Sequence, residues 1–152
     1  MRISYSLLKA IFMFMDIDKK TRYYGTDVPL FYAEIHLIKA IKENEGIHIT
    51  GLAQYLEVTK GAVSQMLMKL EKKGFIVKEK DPGNQSRFLL KLTPKGETAH
   101  LNHMRLHQEF DEIVNDILKD QDQAKIEFLQ HFLTRLIEKM ERYEDQDHPI
   151  KF

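Results

Sequence analysis

Three histidines stand at positions 100, 103 and 107 of this 152-residue chain. On a helix His103 and His107 lie one turn apart, so both side chains reach one point. Two imidazoles meeting at one point are workable ligands for a single metal ion. His100 is close enough in sequence to substitute. A fourth histidine, His36, sits in the apolar run AEIHLI, and Asp16 and Asp18 close an apolar N-terminal stretch. The plain alternative is a set of solvated or hydrogen-bonded helix histidines. A zincin-type hydrolase needs His-Glu-x-x-His, with the glutamate as base. Met104 follows His103 instead. No nucleophile elbow or phosphate loop occurs, so the chain does not read as an enzyme, and a metal-dependent one is a remote alternative.

These residues need elements to position them. Residues 3–17 carry apolar side chains at helical spacing, and Lys19–Pro29 reads as a loop. A second helix follows, with Phe31, Ile35, Leu37, Ile38 and Ile41 as its buried face, ending near Asn44–Gly46. There Gly46 suits a left-handed cap. Thr50 is expected to cap a short helix, GLAQYL, and Glu57-Val58 to turn the chain. Thr59 caps a longer helix, KGAVSQMLMKLEKKG, whose inner stripe is Val63, Met66, Leu67 and Leu70. FIVKEK and RFLLKL read as strands joined by a DPGNQS turn. Thr93 and Pro94 open a helix reaching about Lys119. A last helix spans about Ala124 to Tyr143, and the tail EDQDHPIKF is expected to fray. Short helix, turn, longer helix and two strands make a winged helix-turn-helix, which places one helix in a DNA major groove.

Charge supports that reading. The formal net charge is zero. Yet residues 51–95 hold nine Lys/Arg against four Asp/Glu, and residues 96–152 hold seven against thirteen. A basic module in a neutral chain is an electrostatic footprint for DNA phosphates. No apolar run is long enough to span a bilayer. The first residues read as a helix rather than a signal peptide. Cysteine is absent, which removes disulfides and thiolate metal sites and fits a cytoplasmic location.

On the longer helix, Gln65 suits a bidentate pair with adenine, and Ser64 reaches base or phosphate. Gly61 lets the backbone approach closely. Thr59 and the free N–H groups of the helix start suit a phosphate. Lys60, Lys69 and Lys72 are expected on phosphates, with Lys78, Lys80 and Arg87 serving the wing.

The segment LAQYLEVTKGAVSQMLMKLEKKGFI, the DPGNQSR tip and LTPKG together resemble the MarR family of transcriptional regulators. The resemblance covers nearly the whole chain. It implies a mainly α fold: a winged helix-turn-helix flanked by N- and C-terminal dimerisation helices. Residues 1–152 then form a single MarR-type domain, 47–95 the DNA-binding lobe, and 1–30 with 96–145 the dimerisation helices. It also implies a homodimer, a repressor in sign, on a pseudo-palindromic operator of double-stranded DNA. The family's wing commonly carries Asp and Arg two residues apart. Here those positions hold Asn84 and Ser86, and Arg87 comes one residue later.

The histidines resemble the ligand set of the family's zinc-responsive members. The resemblance implies one metal held by Asp18, His36, His103 and His107, with Asp16 and His100 as substitutes. Three imidazoles and a carboxylate suit zinc, with nickel, cobalt and manganese as other candidates. The second metal site of those proteins contains a cysteine and is not transferable, and Asn102 stands where an acidic ligand would. Without metal, the family habit is release from DNA by a small aromatic or apolar ligand in an interlobe crevice. Phe12, Met15, Tyr23, Tyr24, Phe31, Tyr32 and Met104 are candidate walls of such a crevice.

Overall fold

The computed structural model describes residues 2–44 and 46–145, with Gln85–Arg87 and the last two of these traced by backbone alone. The elements in chain order are α1 (Ile3–Asp18), α2 (Tyr32–Glu43), α3 (Ile49–Tyr55), α4 (Lys60–Lys72), β1 (Ile76–Asp81), β2 (Asn84–Leu92), α5 (Pro94–Leu118) and α6 (Gln123–Asp145). The fold is mainly helical, with a two-stranded antiparallel wing. It divides into two compact units, Met1–Gln108 and Glu109–Phe152.

In the first unit the core gathers Leu30, Ile35, Leu37, Ile38, Leu52, Val63, Leu67, Leu70, Phe75 and Ile76, with Leu90 and Ala99. The expected inner stripe of α4 is therefore the buried one, although Met66 is only partly covered. Thr59 caps α4, its Oγ1 accepting from Ala62 N–H at 3.1 Å. Gly74 ends that turn at φ +78°, a conformation that glycine adopts without Cβ strain. The Thr93 hydroxyl donates to the Gly74 carbonyl at 2.6 Å and accepts from Gly96 N–H at 3.1 Å, locking the start of α5 to the end of α4.

A partly buried ion pair joins the end of α4 to α2. Lys73 Nζ reaches both carboxylate oxygens of Glu34 at 2.7 Å and donates to the Pro29 carbonyl at 3.2 Å. The Glu34 carboxylate also accepts from Phe31 N–H at 2.9 Å, so it caps α2 as well.

Three expectations are corrected. Phe31 is 59% exposed, because it occupies the N-cap of α2 rather than its inner face. His48, not Thr50, is the N-cap of α3, without a side-chain cap bond. The wing tip is shorter than DPGNQS, since Asp81 pairs with Asn84 and β2 begins there. Gly83 N–H donates to Asp81 Oδ1 at 2.8 Å, so an aspartate turn closes the strands around Pro82-Gly83.

On α1 only Asp18 is buried, while Ile3, Leu8, Ile11 and Phe12 are exposed. In the second unit α6 likewise exposes Phe128, Leu129, Phe132, Leu133, Ile137 and Met140. The expected frayed tail lies mainly in residues 146–152, outside the described residues. Among the described residues, no helix is long and apolar enough to cross a membrane.

Candidate metal centre and nucleic-acid interface

The end of α1, the middle of α2 and the first half of α5 bring four of the candidate ligands together. His36 Nε2 lies 3.2 Å from Asp18 Oδ2. His103 Nε2 and His107 Nε2 lie 3.5 and 3.9 Å from Asp18 Oδ1. The two imidazole nitrogens of His103 and His107 face each other at 3.1 Å. Donors at zinc-ligand bond lengths around a tetrahedral ion stand about 3.3 Å apart. The observed separations bracket that value.

The chemistry of the donors agrees. Asp18 is buried, and its Oδ1 has no hydrogen-bond partner. Burial of a carboxylate oxygen without a donor is costly, and a cation at this point would offset it. Two facing Nε2 atoms cannot both carry protons at such a distance. Burial, reinforced by the nearby His36 and His107, pushes His103 down to about 4. Burial also lowers His36, with Asp18 opposing part of the shift. Neutral imidazoles are the form that binds metal.

The approach of α1 to α2 depends on the intervening loop. Arg22 and Leu30 form an isolated antiparallel bridge, and Tyr24 and Gly25 turn the chain at φ +46° and +72°. Asn102 Nδ2 donates to the Tyr24 carbonyl at 3.2 Å, holding that turn against α5. Asn102 is thus a clasp for the loop. The role of Tyr24 and Asn102 carried no sequence signal beyond the adjacent glycine.

The substitute ligands are placed elsewhere. Asp16 is exposed. His100 is buried, but the charges that act on it come from Glu97, Glu43, Lys42 and Lys39. Among the described residues, the group of three or more close donors is Asp18, His36 and His103, with His107 beside it.

A pH effect follows for the metal-free protein. The folded state refuses a proton at His103 that the unfolded chain accepts near its ordinary value. Stability tied to neutral His103 is therefore complete above about pH 6.5 and is lost as the pH falls toward about 4. Urea melts of stripped protein are expected to lose about 2–3 kcal/mol across that window. An unchanged midpoint would contradict the burial of a neutral His103.

The second surface is the outer face of α4. Thr59, Lys60, Gly61, Gln65, Lys69 and Lys72 are exposed, and Ser64 is half-buried. A Cβ at Gly61 would meet only Thr59 Oγ1 at 3.9 Å, so the protein's own packing does not require glycine there. Its absence leaves room for something outside the chain. On the wing Lys80 is exposed, and Lys78 pairs with Glu71 at 2.8 Å. The Arg87 side chain lies outside the described residues.

A family model described as "MarR family" matches residues 30–85. The chain is 27% identical over 133 residues to the HTH-type transcriptional regulator YhjH of Bacillus subtilis (strain 168), covering 88% of this chain and 75% of that protein. The crystal structure of Streptococcus pneumoniae FabT in complex with DNA superposes with TM-score 0.71 at 25% identity, covering 91% of this chain and 96% of that one. The Zn(II)-bound state of the zinc-dependent MarR family regulator AdcR shares the fold, with TM-score 0.66 at 18% identity over 92% and 99% of the two chains. These relatives are regulators, not enzymes.

Proposed function

We propose that this chain, similar to MarR-family transcriptional regulators, is a homodimeric repressor whose hold on a specific operator depends on a divalent transition metal, zinc first. The observation that carries the metal response is the meeting of Asp18, His36 and His103, with the His107 imidazole 3.1 Å from that of His103. The zinc-dependent neighbour adds weight to zinc.

When bound, the metal would join the end of α1, α2 and α5 through these four side chains. The rest of the mechanism belongs to the chain. His36 lies two residues beyond Glu34 on α2, and Glu34 holds Lys73 at the C-cap of α4. A change in the setting of α2 is thereby passed to the helix that carries Ser64 and Gln65. Favouring one setting raises operator affinity by population shift. The exposed stripes of α1 and α6 supply the apolar area for pairing two chains. In such a dimer the two α4 helices meet successive major grooves, ~34 Å apart.

On α4, Gln65 reads a base and Lys60, Lys69 and Lys72 hold phosphates. A Gln65→Ala variant is expected to lose about 1–3 kcal/mol of discrimination between operator and mutated operator while keeping its non-specific affinity. Competition binding at fixed salt measures this. An equal loss on every sequence would remove Gln65 as a base reader.

A further inference from the structure

We infer that Phe14, Tyr24 and Tyr32 form an aromatic collar that limits water at the metal centre and favours a four-coordinate ion. This rests on the metal reading above. Each imidazole has its own aromatic neighbour, and each neighbour comes from a different part of the chain. Tyr32, at the start of α2, packs on His36 with ring centres 4.2 Å apart. Tyr24, in the loop, stands edge-on to His103 at 5.7 Å. Phe14, on α1, meets His107 at 5.8 Å. The imidazoles also brace one another, His36 to His103 at 4.9 Å and His103 to His107 at 4.6 Å.

Solvent access shows where the collar matters. His103 is fully buried and the Asp18 side chain is 8% exposed, whereas His36 and His107 keep 24% and 29%. The two partly open ligands are those packed by Tyr32 and Phe14. An ion that demands six ligands must bring water to a site whose four protein donors are already present. Apolar rings beside the open ligands make that water costly, and the apolar surroundings of a metal site control solvent access. The collar therefore favours zinc and cobalt(II), which accept a tetrahedron, over ions that hold an octahedron.

Cobalt(II) is the probe. Tetrahedral cobalt(II) absorbs strongly in the visible because its field lacks a centre of symmetry, and octahedral cobalt(II) absorbs weakly. The unchanged protein is expected to give the strong spectrum. Tyr32→Ala and Phe14→Ala are expected to weaken it, and to release the ion to a chelator at least about 10-fold faster. Tyr32→Phe keeps the ring and is expected to match the unchanged protein. Tyr32 is 38% exposed, so its truncation leaves the core intact. Unaltered spectra and release rates in both alanine variants would overturn the collar. So would a Tyr32→Phe variant as fast as Tyr32→Ala. Failure of the unchanged protein to bind cobalt(II) or zinc would overturn the metal reading first and the collar with it.

Discussion

A His103→Ala/His107→Ala double variant is expected to lose tight zinc binding, by more than about 100-fold, while remaining folded. Loss of a mere outer partner of a metal ligand costs 10–100-fold, and this change removes two donors. The two Nε2 atoms sit 3.1 Å apart and face the same oxygen of Asp18, so the remaining pair, His36 and Asp18, is left with half a tetrahedron. Folding is expected to survive because His103 contributes packing but little polar satisfaction. It is fully buried with Nδ1 unpartnered. His36→Ala, at a half-buried position, is a second test with less structural cost. Calorimetry reads the affinity and circular dichroism the fold. Undiminished zinc stoichiometry in a folded double variant would remove these residues as ligands.

Gly96→Ala is expected to destabilise the protein by about 3 kcal/mol, the upper end of the range for overpacking a close-packed site. A Cβ on Gly96 would collide with the Phe75 carbonyl oxygen and stand 3.2 Å from Leu92 Cβ. The obstacle is backbone, and that same carbonyl already accepts from Thr93 N–H at 3.0 Å, so it cannot simply swing away. Either the start of α5 or the entry to β1 must move. For a chain of this size each kcal/mol shifts Tm by roughly 2–4 °C, so the variant should melt about 6–12 °C lower. A loss below 1 °C would mean that the α5–β1 junction is looser than described.

The parts of this fold governed by local chemistry were legible in the residues. Thr59 before Lys60-Gly61, and Thr93 before Pro94, announce helix starts because the hydroxyl and the missing proline N–H satisfy a first turn. Both caps are made. Where tertiary burial overrode local signals, reading failed. Thr50 has a capping side chain, yet α3 starts one residue before it, with Leu52 and Ala53 buried. Phe31 is apolar but stands outside the helix it introduces. Asn84 looked like turn, but the aspartate turn at Asp81 closes the hairpin earlier and lets it pair.

The candidate metal centre divides the same way. His103 and His107 share a helix, so their meeting follows from its pitch. Asp18 and His36 are joined across a loop whose path depends on a positive-φ tyrosine, a two-residue bridge and the Asn102 clasp. None of these has a sequence period. The collar was hidden for a related reason: Phe14, Tyr24 and Tyr32 are ordinary aromatic residues until their ring partners are known.

Coupling between metal and DNA binding is measurable through linkage. A duplex chosen by selection from random sequence, with two half-sites about 10 base pairs apart, is titrated with protein at a series of buffered free-zinc concentrations. Operator affinity is expected to rise by at least about 5-fold as zinc saturates, and zinc affinity to rise by the same factor when operator is present. The rise is expected to vanish in the His103→Ala/His107→Ala variant. Equal operator affinity at every zinc concentration would contradict that coupling and turn the search for an effector to small apolar acids.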